Sequence, residues 1–118
     1  YGQASPPTGA FTSISTGDYH ACAIQSSGQG SCWGKGDKGA TTVPSGTWSQ
    51  LEAGFSNTCG LTSTGQVKCW GEDDYGQSRA PSGTFTDLTV GDYHSCAKST
   101  SGAWTCWGRN DEGQLNIP

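Results

Sequence analysis

The chain has 118 residues, 14% of them charged, with a formal net charge of −4 and an isoelectric point near 4.8. This acidic balance disfavours nucleic acid as a partner, because surfaces that bind nucleic acid are rich in Lys and Arg. No hydrophobic run approaches membrane-spanning length. Leu, Ile, Val and Phe supply only 13 residues, and such a low content taken alone is typical of a disordered chain. However, five Trp, four Tyr and six Cys recur periodically, which indicates a folded chain.

The recurrence has a constant step of 37 residues. Three pairs of cysteines, each with nine residues between its members, repeat at this step, and the second cysteine of each pair opens the triplet Cys-Trp-Gly. Periods of this size are typical of solenoids, propellers and repeat arrays. We therefore predict a single repeat domain over residues 1–118. Its units are 1–37, 38–74 and 75–111, followed by a partial unit at 112–118.

The cysteines are expected to form disulfides. Their even number and fixed spacing are typical of proteins from an oxidising compartment, so a secreted, extracellular location is predicted. Structural zinc is disfavoured, because zinc-binding pairs are usually roughly two to four residues apart. Buried free thiols are the remaining alternative. We expect no metal and no other cofactor.

Each unit is predicted to contain three antiparallel strands. Side-chain character alternates with a period of two, as around Cys22 and Ile24, and no window has the spacing of an amphipathic helix, so the chain is expected to be all-β. If the two cysteines of a unit face each other, the hairpin loop has three residues and ends at a glycine, Gly28 in the first unit, where a left-handed conformation is favoured. The predicted first strands are Phe11 to Thr16, Trp48 to Ala53 and Phe85 to Val90. The predicted disulfides are Cys22–Cys32, Cys59–Cys69 and Cys96–Cys106.

Several short motifs resemble the repeat of the regulator of chromosome condensation family. They are Gly-Asp-Tyr-His-x-Cys at 17–22 and 91–96, the Cys-Trp-Gly triplets, Tyr-Gly-Gln at 75–77 and Glu-Gly-Gln-Leu at 112–115. The sequence Thr-Thr-Val-Pro at 41–44 is more similar to a related propeller, β-lactamase inhibitory protein II. The resemblance covers the whole chain and implies three β-propeller blades. Each blade would have three antiparallel strands, or four if the connecting segment adds an edge strand.

The resemblance implies binding without specifying the partner. The family includes a nuclear nucleotide-exchange factor, a plant light receptor and a bacterial enzyme inhibitor. Nuclear exchange is disfavoured by the expected disulfides and by the acidic charge. The tryptophans of the Cys-Trp-Gly triplets are expected to pack rather than to sense light.

Three blades are too few to close a propeller, which usually needs about four to eight. We therefore expect two copies to form a homodimeric six-bladed ring, with the two-fold axis along its central channel. The alternative is that the chain is a slice of a longer protein.

A rim of aromatic side chains is the leading candidate for a ligand-binding site. Tyr19 and Tyr93 follow the first strands, with Phe55 interpreted as standing in register between them, and Asp18 and Asp92 precede the two tyrosines. Aromatic side chains dominate many protein interfaces and also stack on sugar rings. The alternative is that these rings cover the seams between blades.

Trp104 is a further candidate because it departs from the repeat, its register partners being Gly30 and Val67. An exposed Trp104 would indicate an interaction site, whereas a buried one would support ring closure.

The histidines and the acidic loops are expected to be structural. His20 and His94 align with Asn57, which indicates hydrogen bonding rather than catalysis. The acidic runs at 72–74 and 110–112 lack the spacing of a calcium-binding loop and are interpreted as solvated turns.

The sequence thus predicts a secreted, non-enzymatic binding protein whose rim recognises a protein surface or a glycan, without membrane insertion. A multivalent, lectin-like role and an enzyme-inhibitory role like that of the β-lactamase inhibitor are the alternatives. No unique acid, base and nucleophile stand outside the repeat pattern, which argues against an enzyme. A durable matrix or coat role would also suit disulfides and ring assembly.

Overall fold

The computed structural model describes residues 10–35, 41–55, 57–71, 80–91 and 94–108, and it confirms the all-β prediction. Three separate three-stranded antiparallel sheets each follow the chain order, so each sheet is a simple meander and corresponds to one propeller blade. No helix in the described part of the chain is long and apolar enough to cross a membrane. The strands are β1 (Phe11–Thr16), β2 (His20–Gln25), β3 (Gly30–Gly34), β4 (Trp48–Ala53), β5 (Asn57–Thr62), β6 (Val67–Gly71), β7 (Phe85–Val90), β8 (His94–Ser99) and β9 (Trp104–Gly108).

The hairpin between the second and third strands of each blade has the predicted register. Cys22 lies directly opposite Cys32, and the same pairing recurs in the other two blades. The backbone N–H of Gln25 donates to the carbonyl of Gln29 at 2.8 Å, which closes a three-residue loop. Gly28 takes a φ of +92° in that loop, where a β-carbon would strain the backbone. The three disulfides are Cys22–Cys32, Cys59–Cys69 and Cys96–Cys106.

Each first strand also contains a β-bulge that the sequence did not predict. The register shifts between the first and third residues of the strand, as between Phe11 and Ser13 in β1. The residue between them carries a hydroxyl group, and the hydroxyl of Thr12 donates to the carbonyl of Ile24 at 3.3 Å. The equivalent bonds join Ser49 to Leu61 and Thr86 to Lys98. A bulge increases the local twist of a strand, so each sheet twists where it meets its neighbour.

Consecutive blades pack face to face, and their apolar side chains meet in two seams. We call the face of each blade that is directed at the following blade its forward face. This face carries the disulfide of the blade and the side chain two positions after the first cysteine of the blade. The backward face carries the first and fourth residues of the first strand. In the first seam Cys22 and Ile24 pack against Trp48 and Leu51. In the second seam Cys59, Leu61 and Val67 pack against Phe85 and Leu88.

Backbone contacts fix the spacing of the seams. The N–H of Trp48 donates to the carbonyl of Gly28 at 2.8 Å, so the hairpin loop of one blade holds the start of the next. Gly17 abuts the carbonyl of Gly54 so closely that a β-carbon there would clash. A β-carbon on Gly54 would lie 2.7 Å from the carbonyl of Gly91 in the next seam. The repeated glycine after each first strand therefore permits the close approach of neighbouring blades.

Candidate functional site

Two of the predicted rim aromatics meet across the first seam. The ring centroids of Tyr19 and Phe55 lie 5.1 Å apart, with their planes at 81°, an edge-to-face arrangement. The Nζ atom of Lys35 lies 5.1 Å from the centroid of the Tyr19 ring, and the Lys35 backbone N–H donates to the Tyr19 carbonyl at 2.8 Å. All three residues are half-buried. We call Tyr19, Lys35 and Phe55 the rim cluster.

The predicted register of Phe55 with Tyr19 and Tyr93 is wrong by one position. The 37-residue step aligns Phe55 with Asp18, and it aligns Ser56 with Tyr19. Phe55 therefore reaches Tyr19 from one position earlier in its own turn. The contact between the two rings also shows that the packing interpretation applies in part, because each ring covers some of the seam.

The other predicted site residues are more dispersed. Asp18 is exposed beside the rim cluster, and the side chain of Trp104 is 40% exposed at the start of β9. Asp92 and Tyr93 lie outside the described residues, so their place in the rim stays a prediction. Sequence reasoning missed Lys35. The available signal was its position directly after a Cys-Trp-Gly triplet, where a lysine can bring a positive charge to the turn.

The seam beneath the rim contains a buried polar pair. His20 is completely buried, and 2.8 Å separates its Nε2 atom from the Oγ1 atom of Thr58 in the next blade. Burial lowers the pKa of His20, and a hydrogen bond with the backbone of Asn57 offsets part of that effect. The structural role predicted for this histidine agrees with the geometry. Its partner was missed, because the two residues are 38 positions apart in different blades.

A second polar contact crosses the same seam along the first strands. The hydroxyl of Ser15 donates to Oε1 of Glu52 at 3.3 Å and accepts a bond from the N–H of Ala53 at 3.2 Å. Burial raises the pKa of Glu52; the Ser15 hydrogen bond opposes this rise, and the negative charge of Asp87 adds to it. The repeat pattern gave no signal for this contact, since the equivalent residues are Ser15, Glu52 and Thr89.

The described residues offer a recognition surface rather than a chemical centre. No group of three or more His, Cys, Asp or Glu side chains within them is placed to hold a metal ion. A cavity of about 310 Å³ lies between β6 and the segment that precedes β7, and it is lined by residues 66–68 and 80–83. That lining contains no aromatic side chain. The rim cluster therefore remains the stronger candidate, with two rings, one cation and a neighbouring acid.

Comparison with known proteins supports the repeat architecture. The family model for the regulator of chromosome condensation (RCC1) repeat matches residues 48–77 and 85–114. No curated protein matches the chain by sequence.

Solved structures of propellers resemble the chain more broadly. The ectodomain of the receptor kinase CR4 from Physcomitrella patens is 29% identical with a TM-score of 0.77, and the match covers 92% of this chain and 32% of that one. The CRINKLY WD40 ectodomain of the Arabidopsis thaliana receptor kinase ACR4 is 30% identical with a TM-score of 0.74, covering 96% and 41%. Prp20p from Saccharomyces cerevisiae, studied for its binding to Gsp1p and histones, is 17% identical with a TM-score of 0.78, covering 96% and 34%. The chain thus spans 32% to 41% of the length of these structures.

Proposed function

Because the chain belongs to the regulator of chromosome condensation repeat family, we propose that it is a secreted binding protein that recognises a protein surface through the rim cluster. A solved structure of the same fold, Prp20p, has binding properties toward Gsp1p and histones, so the fold can present a protein-binding surface. The observation that carries the proposal is the half-exposed contact of Tyr19 and Phe55 with the Lys35 ammonium group beside it. Tyrosine is enriched among residues that dominate protein interfaces, and such residues cluster where packing is already good.

The geometry favours a protein surface over a sugar as the ligand. A sugar-binding platform needs an aromatic face that is open to solvent, so that the ring can stack on the apolar side of the sugar. The Lys35 ammonium group lies over Tyr19, and Phe55 meets the same ring edge to face. Both neighbours reduce the open face that a sugar would use. A protein partner can instead contact the edges of the cluster and pair an acidic side chain with Lys35.

An extracellular location is part of the proposal. Three disulfides are compatible with an oxidising compartment. Two of the similar structures are receptor kinase ectodomains.

The test is a binding screen of the purified chain against a panel of purified extracellular proteins and a glycan array. We expect a protein in the panel to bind, and we expect Tyr19→Ala and Phe55→Ala each to weaken that binding at least tenfold, as truncation of an interface anchor does. Ser27→Ala is the matched control, since Ser27 is exposed in the hairpin loop at the other end of the first blade.

Two results would count against the proposal. Protein binding that both aromatic variants retain would place the interface elsewhere. Binding to the glycan array alone, lost in Tyr19→Ala, would favour the lectin-like role.

The homodimeric six-bladed ring stays a prediction. Sedimentation equilibrium decides it, because the ring requires twice the monomer mass of 12.2 kDa. A mass near the monomer value at micromolar concentration would exclude it.

A further inference from the structure

The two ends of the first seam are held by different kinds of contact. At the hairpin-loop end, a backbone hydrogen bond of 2.8 Å joins Gly28 to Trp48, and an apolar cluster packs beside it. At the rim end, the two blades are joined by the rim cluster and, beneath it, by the polar pair His20 and Thr58. Apolar packing has no charge to titrate, whereas the polar pair contains an imidazole. Acid can therefore act on the rim end and leave the hairpin-loop end packed.

The imidazole of His20 is enclosed in the seam directly below the aromatic contact. Tyr19 precedes His20 in the chain, so a displacement of one backbone moves the other. The side chain is 0% exposed, and its Nε2 atom lies 2.8 Å from Oγ1 of Thr58. Its Nδ1 atom is also buried and has no well-formed hydrogen bond within the described residues, so the contact with the Asn57 backbone is a weak one. A protonated ring would thus place a positive charge in a site that suits the neutral form.

The charged groups on the elements packed around His20 do not compensate such a charge. Asp18, in the turn before β2, is exposed, and Lys35, after β3, lies over an aromatic ring of the rim cluster. Glu52 on β4 accepts a hydrogen bond from Ser15 instead. Strands β1, β3 and β5 carry no charged side chain. In the described part of the chain, no carboxylate is therefore hydrogen-bonded to the imidazole.

We propose that this seam is an acid-operated switch of the rim cluster: protonation of His20 opens the rim end, separates the rings of Tyr19 and Phe55, and releases the protein partner. The driving force is the difference in proton affinity between two states of the seam. In the open state the imidazole reaches water and has its ordinary pKa of 6.5, whereas burial lowers that pKa in the closed state. Acid therefore favours the open state. Release of the partner rests on the proposed function, but the opening itself does not.

The second seam has no titratable group at the equivalent place. Asn57 and Ser95, each 1% exposed, stand where the first seam has His20 and Thr58. An amide and a hydroxyl group keep their charge state over the whole range in which an imidazole titrates. The second seam is therefore expected to stay closed under conditions that open the first.

The opening can be measured without a partner, by fluorine NMR of the chain labelled with 4-fluorophenylalanine. Its three phenylalanines are Phe55 in the rim cluster, Phe85 in the second seam and Phe11 at the start of β1. Phe55→Leu identifies the rim signal, and Tyr19→Ala gives the position of that signal when the ring contact is absent. Between about pH 7.5 and about pH 5, we expect the Phe55 signal to move toward that position with a midpoint below 6.5, while the Phe85 signal stays in place.

Variants assign this transition to one residue. His20→Asn removes the titrating ring but keeps a hydrogen-bonding side chain, so the Phe55 signal should not move; His20→Gln serves the same purpose if the first variant does not fold. His94→Asn is the matched control, because His94 is half-buried in the third blade, outside the first seam. Glu52→Gln should also retain the transition, since acid removes a charge from this carboxylate rather than adding one to the seam.

Binding of the partner found in the screen is then compared at about pH 7.5 and about pH 5.5. We expect the Kd to rise about tenfold or more in the wild type and in His94→Asn, and less than about twofold in His20→Asn. A Phe55 signal that moves equally in His20→Asn, or that stays in place in the wild type, would overturn the switch. A simultaneous change of all three signals would overturn it too, because it indicates global unfolding. A His20-dependent opening with unchanged partner binding would support the switch and contradict the proposed function instead.

Discussion

At the scale of single residues, the contact between His20 and Thr58 shows how a blade recognises its neighbour. Both side chains are completely buried, and their 2.8 Å hydrogen bond joins the second strands of two blades. The equivalent pair at the second seam is Asn57 and Ser95, both of which are 1% exposed. There the amide nitrogen of Asn57 and the hydroxyl of Ser95 both contact Sγ of Cys59, at 4.0 and 3.7 Å. The His20–Thr58 bond contributes specificity to the first seam, because a buried polar group without a partner is costly.

Thr58→Val tests this contact. The substitution keeps the shape of the side chain but leaves Nε2 of His20 buried without its hydroxyl partner. We expect the free energy of unfolding in urea to fall by about 1–3 kcal/mol. Thr16→Val is the matched control: Thr16 is exposed, so its replacement is expected to change stability by less than about 0.5 kcal/mol. Equal effects at the two positions would contradict a special role for the seam bond.

The lowered pKa of His20 predicts a pH dependence of stability. In the unfolded chain the imidazole has its ordinary pKa of 6.5, whereas in the folded chain the pKa is lower because of burial. Below pH 6.5 the unfolded state therefore binds a proton that the folded state excludes, and the free energy of unfolding falls as the pH drops. Urea unfolding at about pH 7.5 and about pH 5.5 measures the change.

His20→Asn is the control for this pH effect, because asparagine stands at the equivalent position of the second blade. The variant retains Glu52, whose raised pKa acts in the opposite sense: its contribution to stability declines as the pH rises above 4.5. We expect the loss of stability between the two pH values to be smaller in His20→Asn. An unchanged loss would assign the pH dependence to other groups.

At the scale of elements, the hairpins were predictable and the bulges were not. The opposed cysteines and the loop glycine give independent local signals for one register, and that register is observed. The bulge at Thr12 has a weaker signal, a hydroxyl residue at the second position of each first strand. The candidate site was predictable only in part, because its contacts join residues that lie far apart in the sequence. The contacts of Tyr19 with Phe55 and of His20 with Thr58 join different blades, and they depend on the angle between sheets rather than on local pattern.

Gly102→Ala tests the loop chemistry of the third hairpin. Gly102 has a φ of +92°, and a β-carbon there would find open space, so the cost of the substitution comes from the backbone alone. We expect a loss of about 1 kcal/mol in the free energy of unfolding. Gly102→Asn should lose less, since asparagine tolerates positive φ better than alanine does. Equal stability of all three proteins would show that the loop adopts another conformation in solution.

At the scale of the whole molecule, the two end blades have one packed face each. The described residues bury the forward face of the first blade and the backward face of the third, while Ile14 and Trp104 lie exposed on the outward faces. The middle blade is packed on both sides, so neighbouring blades support its core. Residues at equivalent repeat positions should therefore differ in their effect on stability according to the blade that carries them.

Alanine substitution at the fourth position of each first strand measures this difference. Leu51 and Leu88 are buried in the two seams, so Leu51→Ala and Leu88→Ala should each lower the free energy of unfolding by about 2–5 kcal/mol. In the monomer Ile14→Ala should cost less than about 1 kcal/mol, because two thirds of that side chain is exposed. In the predicted six-bladed ring the same side chain would pack against the partner's third blade, and its truncation would cost more. All three variants are compared by urea unfolding at the same protein concentration. If Ile14→Ala were as costly as Leu51→Ala, the backward face of the first blade would have to be covered by a partner in solution. Dilution would then lower the stability of the wild type, because the stability gained from a bound partner depends on the concentration of that partner.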